Sequence, residues 1–241
     1  MANSEHLNMF VLPVKSREAE RHGRVDLFLP DGAGPRPAVV FVHGGPVPEA
    51  ARPTPRDWPV FQAYGSLAAS RGLVGVTLDH RLHTPVAYAQ AADDVTAAVE
   101  LARADPRVDR DRVALWFFSG GGLLAADWLR RPAPWLRCLA ATYPLLSMFP
   151  GWPPDPRFAP VDAVASAGTL PVVLTRAGLE RPEVAAGVSA FVDAARAASV
   201  RLEVIDVPNG RHGFDYLDDT DESREAIEAA FTAVSRTLTS P

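Results

Sequence analysis

The chain has 241 residues, of which 47% are hydrophobic and 22% charged, and its formal net charge is -5. A chain of this length and composition can bury a sizeable core, which excludes disorder over most of its length and favours one domain. Phosphate binding needs a basic surface, so the acidic balance and the lack of a block of lysines and arginines argue against nucleic acid as a partner. We therefore expect small-molecule or protein partners.

The single cysteine, Cys138, cannot form an intramolecular disulfide, and the apolar run around it predicts an inert buried thiol. Residues 1–20 lack the basic segment and sustained apolar core of a secretion signal, and no later segment approaches the length that spans a membrane. We therefore expect a cytoplasmic protein without a membrane partner. The oligomeric state stays open.

Short aliphatic runs alternate with longer segments of helical period, which is the pattern of a parallel sheet crossed by helices. The first predicted strand, RVDLFLP at residues 24–30, alternates with period two. The later strands are near-continuous apolar runs, as expected where both faces of a sheet are covered. They are PAVVFVH (37–43), LVGVTLDH (73–80), RVALWFF (112–118), CLAATYPL (138–145), PVVLTRA (171–177) and RLEVIDVP (201–208).

Two segments show a clear apolar helix face, one at residues 183–198 and one near the C-terminus. The faces consist of Val184, Val188, Phe191, Val192 and Ala195 in the first, and of Ile227, Phe231, Val234 and Leu238 in the second. No internal repeat and no Gly/Ser linker divides the chain. The sequence therefore predicts a single α/β domain over residues 1–241.

Two proline-rich stretches, residues 46–59 and 147–162, each follow a predicted strand directly and suit neither a regular helix nor a central strand. Ligands of open α/β sheets bind beyond the carboxyl ends of the strands, where these loops should lie. The second loop therefore predicts a short lid-like insertion at about residues 145–168 with an apolar lining of Met148, Phe149, Trp152 and Phe158. Packing of the loop onto the core is the alternative.

Ser119 lies between a buried strand and a run of glycines in WFFSGGG, residues 116–122. A serine in a strand–turn–helix context matches a nucleophile elbow, in which glycines allow the helix to start close to the strained turn. A phosphate-binding loop is less suitable, because the Walker lysine and a G-x-G-x-x-G pattern are both missing. A helix-capping serine stays possible on this motif alone.

A second stretch, VVFVHGGP at residues 39–46, ends a strand in His43, Gly44 and Gly45. Backbone N–H groups that are free to turn toward a ligand are what an oxyanion hole requires. Gly44 or Gly45 would donate one hydrogen bond, and Gly120, directly after the serine, would donate the other. A tight turn without a ligand is the alternative.

His212 follows the last predicted strand in PNGRHGFD, where a general base can reach the serine. Glu180 lies between the serine and the histidine in chain order, after another strand, and could hold the second imidazole nitrogen. The order serine, acid, histidine is that of the α/β-hydrolases. Rival acids are Glu183, Asp206 within a strand, and Asp215, which is close to the histidine in sequence.

The motifs HGGP, DHR, FFSGGG, RAGLE and HGF together resemble an α/β-hydrolase of the dienelactone hydrolase and esterase type, from about residue 24 to the C-terminus. The resemblance implies Ser119 as nucleophile, Glu180 as acid and His212 as base, with no metal or organic cofactor. Dienelactone hydrolase itself carries a cysteine nucleophile, so the serine favours the esterase-like relatives. The expected substrate is a small ester, thioester or lactone.

The sequence departs from the family pattern at the turn, where Phe117 occupies the position two before the serine that is usually small. The neighbourhood of the turn must therefore be repacked. Phe118 is likewise apolar, and we expect it to line the substrate pocket together with His43, Phe149 and Trp152. These departures leave open a cyclase, lyase or acyl transferase with the same triad, and a catalytically silent binding protein is a second alternative.

The segment DHRLH, residues 79–83, brings two further histidines to a strand end. Together with His43 they raise the question of a metal site, but no cysteine or paired carboxylate completes a ligand set. We expect no metal, and we expect Arg81 to form a structural ion pair rather than to hold a substrate carboxylate.

Overall fold

The computed structural model describes residues 5–239; the predicted domain also includes residues 1–4 and 240–241, which lie outside the described part. An eight-stranded sheet runs through the molecule in the order β1-β2-β4-β3-β5-β6-β7-β8. The strands are β1 (Glu20–His22), β2 (Val25–Phe28), β3 (Arg36–Val42), β4 (Val74–Leu78), β5 (Val108–Phe118), β6 (Leu136–Thr142), β7 (Val172–Leu179) and β8 (Leu202–Arg211).

The sheet is mostly parallel. The strand β2 pairs antiparallel with both β1 and β4, whereas every pair from β4 to β8 along the sheet is parallel. Between β3 and β5 the order of connection reverses, because the chain goes from β3 to β4 on one side and then crosses back to β5 on the other. Such a switch point is where the carboxyl ends of an open sheet leave a crevice for a ligand.

Seven α-helices accompany the sheet in the described part of the chain. They are α1 (Pro59–Ser70), α2 (Tyr88–Ala104), α3 (Ala125–Arg130), α4 (Pro160–Ala163), α5 (Pro182–Ala197), α6 (Phe214–Leu217) and α7 (Asp221–Thr239). Buried side chains of α1 and α7 pack on one face of the sheet, and those of α2, α3 and α5 pack on the other. The predicted helices at 183–198 and near the C-terminus correspond to α5 and α7.

Successive side chains of the central strands alternate between two hydrophobic clusters. In β5, Leu115 and Phe117 face the cluster under α2, and Trp116 and Phe118 face the cluster under α1 and α7. All four are at most 1% exposed. Both faces of the central sheet are therefore covered, as the near-continuous apolar runs predict.

The structure corrects three details of the predicted elements. A short strand, β1, precedes the first predicted strand. The predicted strand at 138–145 ends earlier, at Thr142, because Tyr143 takes a φ of 36° and Pro144 cannot donate to a ladder. The glycines after Ser119 form a 3-10 helix, Ser119–Leu124, and the α-helix begins only at Ala125.

The segment at residues 145–168 contains little regular structure. It includes two single 3-10 turns, Pro156–Phe158 and Val164–Ser166, around the four-residue helix α4. Phe158 is 1% exposed and belongs to the cluster on the α2 side of the sheet. Within residues 5–239, no helix is both long enough and apolar enough to cross a membrane.

Candidate active site

Ser119 occupies a sharp turn directly after β5. Its φ is 48°, a conformation that a side chain other than glycine adopts only where the surroundings enforce it. The turn is held from two sides, since the N–H of Leu145 donates to the carbonyl of Ser119 at 2.8 Å and the hydroxyl of Tyr88 donates to the carbonyl of Gly120 at 3.0 Å. The strained turn and the glycines that follow are the features expected of a nucleophile elbow.

The first two glycines after the serine, Gly120 and Gly121, lie against neighbouring backbone rather than side chains. A Cβ on Gly120 would lie 2.0 Å from the carbonyl oxygen of Gly45, and one on Gly121 would lie 2.5 Å from that of His43. Neither contact can be relieved by rotating a side chain. These two glycines are therefore required because the loop after β3 passes directly over the start of the 3-10 helix.

The structure brings Ser119, His212 and Glu180 into one chain of hydrogen bonds. The distance from Ser119 Oγ to His212 Nε2 is 2.6 Å, and the distance from His212 Nδ1 to Glu180 Oε2 is 2.5 Å. The His212 side chain is 26% exposed and that of Glu180 only 4%. The imidazole is thus reachable from solvent while its carboxylate partner is shielded.

Strand pairing explains why Glu180 and His212 meet. Leu179, the last residue of β7, pairs with Arg211, the last residue of β8, so the two residues that follow leave the sheet side by side. The ladder is irregular at Gly178, where a Cβ would lie 2.1 Å from the carbonyl oxygen of Pro208. The glycine in RAGLE therefore allows the two strands to stay close up to their ends.

The rival carboxylates are occupied elsewhere or face solvent. Glu183 is exposed in the first turn of α5, and Asp206 forms an exposed ion pair with Arg176. Asp215 is fully buried, and its carboxylate accepts hydrogen bonds from the hydroxyls of Tyr64 and Tyr143 at 2.8–2.9 Å. Of the four acids considered, Glu180 alone is bonded to the imidazole of His212.

The carboxylate of Asp215, which the sequence suggests only as a rival acid, forms a buried polar cluster. Burial raises its pKa to about 6, although the two tyrosine hydroxyls and the nearby His212 oppose the shift. The ring of Tyr143 lies 4.9 Å from that of His212, centroid to centroid. Tyr143 therefore contacts the buried carboxylate through its hydroxyl and lies near the imidazole of His212 through its ring.

The loop after β3 places its glycines beside the nucleophile. A Cβ on Gly44 would lie 2.8 Å from Ser119 Cβ and 3.3 Å from Ser119 Oγ, so a side chain there would fill the space next to the hydroxyl. Within residues 5–239, neither Gly44 nor Gly45 donates its N–H to another group of the protein. The N–H of Gly120 lies in the first turn of the 3-10 helix, where N–H groups have no partner within the helix.

Two of the four predicted pocket residues are buried. Phe118 is 1% exposed and packs against Phe61 and Tyr64 in the core, and His43 is 2% exposed beneath the glycine loop. Phe118 therefore lies in the core rather than in the predicted pocket. Side chains alternate between the two faces of the sheet along β5, and the ring of Phe118 lies on the face that α1 covers. The expectation that Phe118 lines the substrate pocket is therefore wrong.

The other two, Phe149 and Trp152, are half-buried and pack on each other, with ring centroids 5.3 Å apart. Trp152 is also 6.4 Å from the ring of Tyr88, whose hydroxyl holds the carbonyl of Gly120. On the other side, the guanidinium of Arg181 lies 4.9 Å from the ring of Phe149, directly after Glu180 in the chain. The pair therefore bridges the nucleophile turn and the loop that carries the acid.

A cavity of about 420 Å³ lies between this segment and α5. Met148, Phe158 and Val161 are among its lining residues, so two of the four side chains predicted as an apolar lining border it. Phe149 and Trp152 are not among them.

The loop after β4 carries an ion pair and one of two stacked histidines. Arg81 forms a bidentate pair with Asp94, at 2.8–3.1 Å, as expected from the sequence. His43 and His80 stack on each other instead of converging on a point, with ring centroids 3.6 Å apart. Among the described residues, no three His, Cys, Asp or Glu side chains are grouped so that they could hold a metal ion.

The strand order, the strained serine at the end of β5 and the imidazole that reaches it from β8 define an α/β-hydrolase. The comparison with family profiles agrees, since residues 75–240 match the dienelactone hydrolase family. The chain belongs to this family, and its class is that of a carboxylic ester hydrolase.

Solved structures of esterases share the fold. EstE1, a thermophilic and thermostable carboxylesterase from a metagenomic library, is 20% identical to this chain in sequence and superimposes with a TM-score of 0.74. The match covers 95% of this chain and 92% of EstE1. A bacterial heroin esterase is 20% identical with a TM-score of 0.75 over 98% and 88%, respectively. A thermostable esterase from Pseudomonas putida is 18% identical with a TM-score of 0.73 over 95% and 84%. A comparison with curated protein sequences finds no match.

Proposed function

We propose that the protein is a serine hydrolase that cleaves a small ester, thioester or lactone through an acyl-enzyme, with Ser119, His212 and Glu180 as its triad. The observation that carries the proposal is the unbroken pair of short hydrogen bonds from Ser119 Oγ through His212 to Glu180, which starts from a serine at positive φ. A capping serine needs neither the strain nor the imidazole.

The hydrogen bonds imply which nitrogen of His212 accepts the proton. A buried carboxylate accepts only, so Glu180 Oε2 requires that Nδ1 carry the hydrogen. Nε2 of the neutral ring is then a free base at 2.6 Å from Ser119 Oγ. This is the tautomer that a general base for the serine must have.

The reaction would proceed in two halves. His212 takes the hydroxyl proton as Ser119 Oγ attacks the carbonyl carbon, and the N–H groups of Gly120 and of Gly44 or Gly45 stabilise the oxyanion. Collapse of the tetrahedral intermediate breaks the bond to the alcohol or thiol, which leaves with the proton from His212. In the second half, His212 takes a proton from water as the water oxygen attacks the acyl carbon. The second tetrahedral intermediate then collapses as His212 returns that proton to Ser119 Oγ, which releases the acid and restores the free serine.

The segment at 145–168 is proposed to bind the acyl group. Phe149 and Trp152 lie between Tyr88, which holds the nucleophile turn, and Arg181, which follows the acid. An apolar pair in that place favours acyl groups with aromatic or aliphatic bulk. The partner of this site would therefore be a small molecule with an apolar acyl chain.

The alternative chemistry of a cyclase, lyase or acyl transferase depended on Phe117 and Phe118. Both rings are buried in the two cores of the sheet and present no wall to a substrate. Hydrolysis is thus the simpler proposal.

The test is steady-state hydrolysis of p-nitrophenyl acetate by wild type, Ser119→Ala, His212→Ala and the double variant. Each single change should lower kcat by several orders of magnitude, and the double variant should be no worse, because the two residues act as one unit. Near wild-type turnover in Ser119→Ala would contradict the proposal. Consumption of an ester without release of free acid, when an acceptor alcohol or amine is supplied, would instead indicate acyl transfer.

A further inference from the structure

Two buried histidines lie beneath the glycine loop after β3, and the proposed reaction uses neither of them. The rings of His43 and His80 stack at a centroid distance of 3.6 Å with an angle of 15° between their planes. They come from the ends of adjacent parallel strands, β3 and β4. Both are at most 3% exposed, so every polar atom of the two rings needs a partner within the protein.

The partners fix the hydrogen on each ring. His43 Nε2 accepts from the N–H of His80 at 3.3 Å, so its Nδ1 carries the hydrogen and donates to the carbonyl of Gly44 at 2.5 Å. His80 Nδ1 accepts from the N–H of Leu82 at 3.3 Å, so its Nε2 donates to the carbonyl of His43 at 2.9 Å. Each neutral ring therefore accepts at one nitrogen and donates at the other.

Burial agrees with this assignment. It lowers the pKa of His80 to about 4 and that of His43 well below its usual range, and the closeness of each ring to the other adds to the shift of His43. A second proton on either ring would displace an acceptor from its backbone N–H. Both rings are thus held neutral at the pH at which an esterase is assayed.

The two donated hydrogen bonds go to consecutive carbonyls of the glycine loop. The peptide bonds from His43 to Gly44 and from Gly44 to Gly45 are trans, so each N–H points away from the carbonyl of its own peptide unit. When the carbonyls of His43 and Gly44 are held by the histidines, the N–H groups of Gly44 and Gly45 face the opposite way. Within residues 5–239, neither of these two N–H groups donates to another group of the protein.

We propose that His80 is a positioning residue for the oxyanion hole, because its Nε2–H holds the carbonyl of His43 and thereby orients the N–H of Gly44 beside Ser119. The proposal rests on the proposed function of the site. His43 performs the same task for the next peptide unit. The loops are tied together further along by the N–H of Val47, which donates to the carbonyl of Leu82 at 2.9 Å.

Two substitutions of His80 separate this role from packing. The amide of a glutamine can lie where Nε2 lies and can donate to the carbonyl of His43, but it leaves the N–H of Leu82 without its acceptor. An asparagine can accept from Leu82 at the Nδ1 position but is too short to reach His43. His80→Gln and His80→Asn each remove the ring stack and one of the two hydrogen bonds, so they are matched controls for each other.

The measurements are kcat and KM for p-nitrophenyl acetate, the inhibition constant of a trifluoromethyl ketone, and the melting temperature. Loss of an oxyanion donor costs about 10²- to 10³-fold in kcat, so misorientation in His80→Asn should cost about tenfold to a hundredfold. KM should change by less than about threefold, and inhibition by the ketone, whose adduct carries the oxyanion, should weaken in parallel with kcat. His80→Gln should keep kcat within about threefold of wild type.

Equal kcat in the two variants, or a loss confined to KM or to melting temperature, would overturn the positioning role. If the variants do not fold, side-chain ¹⁵N NMR of the wild type decides, since the proposal requires the Nδ1–H tautomer of His43 and the Nε2–H tautomer of His80. Any other pair of tautomers overturns it. An inactive wild type that is not labelled at Ser119 would instead contradict the proposed function, and the NMR result would still decide the hydrogen bonds.

Discussion

Replacement of Glu180 by glutamine is expected to invert the tautomer of His212. The carboxylate has two partners in the structure, since Oε2 lies 2.5 Å from His212 Nδ1 and Oε1 accepts the N–H of Arg181 at 2.8 Å. A glutamine has one oxygen and one NH₂ for these two places. If its NH₂ faced Arg181, two donors would meet at 2.8 Å, so the oxygen should take that place.

The NH₂ of the glutamine then faces Nδ1 of the imidazole and requires it to be an acceptor. Nε2 must in turn carry the hydrogen, and it can no longer take the proton of Ser119. An inverted tautomer in a triad of this kind costs about 10⁴-fold in kcat, and we expect a loss of about 10³-fold or more here, roughly 4 kcal/mol of barrier. The fold should persist, because the change removes one charge and no volume.

The matched control is Glu183→Gln, which makes the same chemical change in the first turn of α5 at an exposed position. We expect its kcat to stay within about twofold of wild type, as for a surface change. Both variants are assayed with p-nitrophenyl acetate at pH 8 after circular dichroism and melting have shown that they are folded. A fall of kcat in Glu183→Gln with wild-type kcat in Glu180→Gln would show that Glu183, and not Glu180, is the acid of the triad.

Further predictions concern the turn, the acyl pocket and the buried acid. Gly120→Ala should lower kcat by about a hundredfold or more, because its Cβ would lie 2.0 Å from the carbonyl oxygen of Gly45 and must displace the glycine loop after β3. Wild-type kcat in the folded variant would contradict this prediction. Phe149→Ala and Trp152→Ala should each lower kcat/KM for bulky acyl esters by roughly ten- to a hundredfold, from about 1 to 3 kcal/mol of lost contact, and acetyl esters should suffer much less. Equal losses for both substrates, or lost stability with unchanged selectivity, would assign these rings to the scaffold. Burial raises the pKa of Asp215 to about 6, above the ordinary value of an aspartate, so wild type should lose about 2 kcal/mol of stability relative to Asp215→Asn as the pH rises from 4.5 to 7.5. Urea denaturation at the two pH values measures this difference, and a pH-independent gap between the two proteins would show that burial of the charge is not destabilising.

The positions of the three triad candidates could be predicted because each lies at or within a few residues of the end of a predicted strand. The carboxyl ends of parallel strands share one edge of the sheet, so Ser119, Glu180 and His212 had to emerge on the same side. Their mutual distances could not be predicted. They depend on the register of β7 on β8 and on the irregularity at Gly178, and neither is visible in the composition of a strand.

The side on which Phe118 lies could not be predicted, because both faces of β5 are apolar. Where one face of a strand is polar, alternation identifies the buried side chains, but WFF offers no such contrast. Phe117 is tolerated so near the turn for a reason that the sequence likewise does not reveal. Its ring belongs to the cluster under α2, to which that helix contributes mainly alanine.

The polar groups behind the site escaped sequence reasoning because their partners are distant in the chain. Tyr64 and Tyr143 are 151 and 72 residues from Asp215, and His80 is 37 residues from His43. The sequence around a buried histidine or tyrosine does not indicate which distant residue that side chain binds. The aspartate in HGFD and the histidine in DHR were both visible, but only the packing of β3, β4 and α1 reveals what they bind.

The proposed triad requires Ser119 to be a nucleophile that His212 activates. It is tested most directly by reaction with a fluorophosphonate probe, followed by intact-mass analysis and peptide mapping of wild type, Ser119→Ala and His212→Ala. Wild type should gain one adduct, located on Ser119, Ser119→Ala should gain none, and His212→Ala should react at least about a hundredfold more slowly because the hydroxyl has lost its base. An adduct on another residue, or equal labelling of Ser119→Ala, would show that Ser119 is not the nucleophile.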